Sequence, residues 1–205
     1  MTFSIVAGDG KSLGVGVVSG STAVGDRVPW VSDSGAIATQ GYTEIRYGEV
    51  GLRLLAQGMS PQSALDDLLR EDRGRDKRQV AILDSLGRKA IHTGPYCPAK
   101  KASKTGENCI SIGSMLENTK TVTVMIEVFE GTTGRLADRI LDALKAGAKE
   151  GGDKTGALGV KAGKISTYDK SKISNAALVV KGEEKVDIKV DDSRTPLQDL
   201  EKRLG

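Results

Sequence analysis

Polar and apolar residues alternate with a period of two at the start of the chain, where Phe3, Ile5 and Ala7 fall on one side and Thr2, Ser4 and Val6 on the other. Gly8-Asp9-Gly10-Lys11 then supplies turn chemistry, and Leu13, Val15 and Val17 resume the alternation, which predicts a hairpin. Gly14 and Gly16 leave one of its faces bare enough for another element to approach closely. After an apolar piece at Gly35 to Thr39 the period lengthens to about 3.6 residues. Val50, Leu54 and Leu55 form a helical stripe that stops at Gly58, and Ser60-Pro61 is an N-cap and first-turn pair for a second helix carrying Ala64, Leu65, Leu68 and Leu69. Strand patterns return at Gln79 to Leu83, Lys89 to His92 and Cys109 to Ile112. Two more helices follow, one with Val122, Met125, Ile126 and Phe129, the other with Leu136, Ile140, Leu141, Leu144 and Ala148. Gly147 to Lys172, rich in Gly, Lys and Ala, reads as an exposed, mobile loop. Ala176 to Val180 and Val186 to Val190 form a terminal hairpin, and Thr195-Pro196 opens a closing helix with Leu197, Leu200 and Leu204 on one face.

Strands, a helix pair, strands, a helix pair and strands again: strict βα alternation would imply a parallel sheet, whereas this grouping implies antiparallel sheets with helical hairpins on their outer faces. The expectation is an α+β fold, a four-layer α-β-β-α sandwich, as one domain over residues 1–205.

Composition and charge narrow the function. The 30 basic and 27 acidic residues nearly cancel, and aromatic residues make up only 3% of the chain, so neither a phosphate-tracking stripe nor a set of base-stacking platforms is present. No apolar run reaches membrane-spanning length and no basic, apolar leader is seen, so a cytoplasmic protein without nucleic-acid or membrane partners is expected. Cys97 and Cys109, with His92 as the single histidine, make no zinc pattern; two reduced thiols are expected in an intracellular chain, with a Cys97–Cys109 disulfide as the alternative. The glycines around Gly14 fail the dinucleotide fingerprint, because Ser19 stands where its third glycine belongs. No cofactor or metal is expected.

Thr2 is the residue whose chemistry stands out. Once an aminopeptidase removes Met1, the Thr2 hydroxyl and a free α-amine share one residue. An α-amine with a pKa of roughly 7.7 to 8.0 can accept the hydroxyl proton, so nucleophile and base coincide and no histidine is needed. The chain's start directly before this residue, with no leader, fits that use. The plain alternative is a β-branched strand residue. Thr39, Gln40 and Gly41, at the end of a strand, are candidates to line the cleft, with the Gln40 amide or a backbone N–H near Gly41 stabilising an oxyanion; the alternative is a strand-to-loop junction held by side-chain hydrogen bonds. Asp153 either orients the nucleophilic amine or caps a turn, His92 reads as a hydrogen-bonded structural residue, and Asp191-Asp192 as a pair neutralising a helix N-terminus.

Seven stretches in a fixed order carry a resemblance: TFSIVAGD at Thr2 to Asp9, ATQGYT at Ala38 to Thr43, YGEVGLRLLAQG at Tyr47 to Gly58, RQVAILDSLGR at Arg78 to Arg88, HTG at His92 to Gly94, GGDKTG at Gly151 to Gly156 and VDD at Val190 to Asp192. In these the chain resembles domain of unknown function family 1028, and in its opening threonine it looks like the N-terminal nucleophile (Ntn) hydrolases, which include proteasome β subunits. Glu44, Ser114, Thr155 and Ser193 depart from the residues usual in that family. The resemblance implies the four-layer scaffold and a nucleophile at Thr2. The expected activity is hydrolysis of a small amide or peptide-like substrate in a homo-oligomer, against a rival reading as a non-catalytic scaffold that uses the same fold for assembly.

Overall fold

The computed structural model describes residues 1–151 and 173–205. Its strands are β1 (Thr2–Gly8), β2 (Ser12–Ser19), β3 (Pro29–Ser32), β4 (Gly35–Gly41), β5 (Arg78–Asp84), β6 (Lys89–Thr93), β7 (Ala102–Thr105), β8 (Cys109–Ser114), β9 (Asn175–Gly182) and β10 (Val186–Val190). The helices are α1 (Arg46–Ala56), α2 (Pro61–Glu71), α3 (Thr121–Gly131), α4 (Leu136–Glu150) and α5 (Pro196–Leu204). Among the described residues these form two sheets, in the orders β10-β9-β2-β1-β8-β7 and β3-β4-β5-β6. Every pairing is antiparallel. The described residues thus form a mixed α+β fold of two antiparallel sheets and five α-helices.

The period-two alternation decides what each sheet face covers. Phe3, Ile5, Ala7 and Val18 of the larger sheet pack with Met125, Phe129, Ile140 and Leu144 of α3 and α4. The opposite parity, Val6, Val15, Val17, Ile110 and Ile112, meets Ala36, Ala38, Ala81 and Leu83 of the smaller sheet. That sheet's other face, Ile37, Val80 and Ile82, is covered by Leu55, Leu65 and Leu68 from α1 and α2.

A local signal explains the start of α2. Ser60 Oγ accepts the Ser63 N–H at 3.1 Å and Pro61 occupies the first turn of α2, so an N–H that would otherwise be orphaned is satisfied. The bare face left by Gly14 and Gly16 is used by α4: a Cβ at Gly14 would lie 2.7 Å from Ile140 Cδ1, and one at Gly16 2.5 Å from Ile140 Cγ2 and 2.8 Å from Leu144 Cδ1.

Two expectations are corrected. Gly147 does not begin a loop; α4 runs through it to Glu150, because Gly147 is a contact point where Met125 and Phe3 close on the helix. The rest of that expected loop, 152–172, lies outside the described residues. The Asp191-Asp192 pair does not serve the start of α5: Asp191 Oδ1 accepts the Ala23 N–H at 3.1 Å, and the Asp192 N–H donates to Asn175 Oδ1. The carboxylate in the first turn of α5 is its own Asp199, which accepts a hydrogen bond from Ser193 Oγ.

Candidate functional site

Thr2 opens β1, an interior strand whose register sets Thr2 opposite Ser19 of β2 on one side and Ser114 of β8 on the other. Its parity is that of Ser4 and Val6, so its side chain belongs to the face turned toward the second sheet. Thr2 Oγ1 and Ser19 Oγ share a hydrogen bond of 2.8 Å. Ser19 Oγ also accepts the Ser21 N–H at 3.0 Å. The Met1 carbonyl accepts the Gly20 N–H at 3.1 Å, and Met1 is 5% exposed, its side chain packed with the α3 and α4 core.

A cavity of about 310 Å³ opens at this end of the two sheets. Thr2, Ser19 and Ser21 form part of one wall, Gln40 and Gly41 from the end of β4 another, and the guanidinium-bearing Arg27 and Arg78 complete it. The sheets therefore bring Thr2 together with Gln40 and Gly41. Thr39 has the opposite parity: it is absent from the wall, and its hydroxyl donates to the Glu44 carbonyl at 3.2 Å. Asp153 lies outside the described residues.

Gln40 is fully engaged. Its Oε1 accepts from Ser4 Oγ at 2.6 Å; its Nε2 donates to Gln79 Oε1 at 2.8 Å and, more weakly, to the Thr2 carbonyl at 3.5 Å. Gln79 Nε2 continues the chain to Thr93 Oγ1 at 3.2 Å and the Ala102 carbonyl at 3.1 Å. Ser4, Gln40 and Gln79 are 0%, 1% and 0% exposed, so a buried polar strut joins the two sheets just below the cavity floor. With both amide protons spent, Gln40 holds the wall in place in this arrangement. Gly41 has φ +83, and a Cβ there would meet the Lys77 carbonyl at 2.7 Å, so only glycine makes this bend without strain.

The electrostatics are set by a second cluster. Arg78 at the start of β5 donates from Nε and Nη2 to Asp72 at 2.8 and 3.1 Å and from Nη1 to the Tyr42 carbonyl at 2.5 Å. The two hydrogen bonds from Arg78 hold the Asp72 carboxyl below the usual carboxylate range, and the same contacts raise the guanidinium pKa. Tyr47 OH donates to Asp72 Oδ2 at 3.0 Å; burial first, then the Asp72 charge, pushes that phenol up. Arg27 differs. Its Nε and Nη2 donate to the carbonyls of Ala23 and Thr22 at 3.3 and 2.6 Å, and among the described residues no carboxylate pairs with it.

His92 Nε2 donates to the Arg75 carbonyl at 2.8 Å, away from this cavity. Cys97 and Cys109 are both buried free thiols; burial raises both, that of Cys109 to about 12. A second cavity, about 510 Å³, lies at the far end of the sheets beside the Gly8–Ser12 and Asp84–Gly87 turns and holds none of the sequence candidates. Ser19, Arg27 and Arg78 escaped the sequence reading. The polar residues Gln40 and Gln79 inside otherwise apolar strands were the available signal for the strut.

Comparisons with known proteins bear on this geometry. The model of a family of unknown function, DUF1028, matches residues 2–200. No curated protein matches the chain. Among solved structures, a crystal structure of a DUF1028 protein from Silicibacter pomeroyi is similar, with a TM-score of 0.85 and 29% sequence identity over 99% of this chain and 84% of that one.

Proposed function

The chain belongs to DUF1028, a family of unknown function, and from that premise we propose that it is an N-terminal nucleophile amide hydrolase in which Thr2, freed by removal of Met1, is the nucleophile. The observation that carries this reading is the placement of Thr2: first residue of an interior strand, hydroxyl on the wall of a cavity at the shared end of two sheets, and hydrogen-bonded to Ser19 at 2.8 Å. The three apolar layers, helix to sheet, sheet to sheet and sheet to helix, support the four-layer α-β-β-α sandwich of the Ntn type.

In the proposed reaction Thr2 Oγ attacks the amide carbonyl carbon while its proton passes to the α-amine, directly or through one water. Collapse of the tetrahedral adduct breaks the C–N bond, and the departing nitrogen takes that proton. Water then hydrolyses the acyl ester and returns a proton to Oγ. A volume of about 310 Å³ sits at the lower end of the range for small-molecule sites, roughly 300–1,000 Å³, which favours a small amide.

One observation favours a second reading. Met1 is 5% exposed, with its carbonyl held by Gly20, and a protein that keeps it is a non-catalytic scaffold. Intact-mass measurement on protein from its native host, joined to an activity-probe screen of the Met-free protein beside Thr2→Ala, separates the two. The hydrolase reading expects a mass lacking Met1 and a covalent adduct lost in Thr2→Ala. Retention of Met1 in every molecule, or equal labelling of both proteins, refutes it.

A further inference from the structure

The charge inventory of the Thr2 cavity is one-sided. Arg27 and Arg78 both reach its wall, with hydroxyls at Thr2, Ser19, Ser21 and Thr43, and no Asp or Glu among the described residues lines it. The two cations are not equivalent. Arg78 is spoken for: Asp72 takes two of its N–H groups, the Tyr42 carbonyl a third, and Glu44 Oε2 stands 3.9 Å from Nη2. Arg27 donates only to two backbone carbonyls, from Nε and one Nη2 hydrogen. A guanidinium carries five N–H donors, so three remain, both on Nη1 and one on Nη2. They sit on a half-buried side chain whose charge meets no acid among the described residues. The two carbonyl contacts fix the head, which lowers the entropy lost when a planar anion docks.

We propose that Arg27 is the anchor for a carboxylate on the ligand, so that the cavity takes a small amide bearing a free carboxylate, with the amide carbonyl directed toward Thr2. The catalytic half of this statement rests on the reading of Thr2 as nucleophile; the anion site does not. Arg78, neutralised by Asp72, shapes the wall and holds the Tyr42 segment. Arg27 selects by charge.

The test uses the full chain carrying Thr2→Ala, so that binding is measured without turnover, and a panel of N-acetyl amino acids beside their C-terminal amides, followed by saturation-transfer NMR and calorimetry. Acids from the panel should bind and their neutral amides should bind at least about tenfold more weakly, the scale of one hydrogen-bonded charge. Arg27→Gln should abolish this preference and Arg27→Lys should restore part of it, with thermal unfolding showing that both variants fold. Equal affinity for acids and amides, an unchanged preference in Arg27→Gln, or no binding by any acid overturns the proposal. Acid-selective binding here, joined to equal activity-probe labelling of Met-free wild type and Thr2→Ala, removes the nucleophile and leaves the anion site. Thr2-dependent labelling without acid preference does the reverse.

Discussion

Replacing Gln40 by methionine tests the strut between the sheets. The substitution keeps an unbranched side chain of similar length but removes the acceptor used by Ser4 Oγ at 2.6 Å and the donor used by Gln79 Oε1 at 2.8 Å. Both stranded partners are 0% exposed, so water cannot replace what is lost. An unsatisfied buried group costs about 1–3 kcal/mol, giving a gross cost of about 2–6 kcal/mol. Methionine regains some of this, since a buried apolar side chain no longer carries an amide's desolvation penalty; the net expectation is about 3 kcal/mol. For a chain of this size each kcal/mol lowers Tm by about 2–4 °C, so a fall of about 6–12 °C is expected by calorimetry or circular dichroism. Ser4→Ala in the Gln40→Met background removes one stranded hydroxyl, so the double variant should be less destabilised than the sum of the singles, by about 1 kcal/mol. A Gln40→Met protein within about 0.5 kcal/mol of wild type in denaturant titration, or strict additivity of the pair, would refute the strut.

Two further outcomes follow from geometry already described. Gly14→Ala and Gly16→Ala should each cost about 1–3 kcal/mol by pushing α4 away. Ile140→Val should relieve the first, whose clash is with Cδ1, but not the second, whose clash is with Cγ2, and equal rescue of both would contradict the packing. For pH, Asp72 is held below its unfolded value, about 3.9, by the Arg78 hydrogen bonds. Its contribution is therefore complete above that value and is lost as pH falls through the folded pKa. The stability gap between wild type and Asp72→Asn should stay level from about pH 5 to 7 and narrow below about pH 4. A gap that stays level down to pH 2 counts against the pair.

What the sequence made legible follows from how locally each feature is determined. The hairpin of β1 and β2, the capped start of α2 at Ser60 and the apolar stripes of α3 and α4 are written in periods of two and 3.6, and they appear where those periods place them. Strands β3 and β7 were missed. β3 is four residues opening on Pro29, and β7 is the polar Ala-Ser-Lys-Thr; both are edge strands, formed because a neighbour offers hydrogen bonds rather than because their own pattern demands it. The site divides the same way. Thr2, Gln40 and Gly41 were visible from strand ends and residue chemistry. Thr39 beside them was not separable from Gln40 until the strand parity was fixed, since one residue of register exchanges the two faces. Ser19 becomes Thr2's partner only through the β1–β2 register, and Arg27 and Arg78 reach the cavity from segments about 50 residues apart that only the tertiary fold brings together.

The packing of Met1 has a consequence for timing. An exopeptidase must draw the Met1–Thr2 bond into its own catalytic groove, yet here that bond leads straight into a strand paired on both flanks, with the methionine wedged under a helix. The finished molecule offers no handle. On the proposed hydrolase reading, trimming therefore belongs to synthesis, while the nascent segment is still loose at the ribosome, and a molecule that escapes it would keep the buried methionine of the scaffold reading.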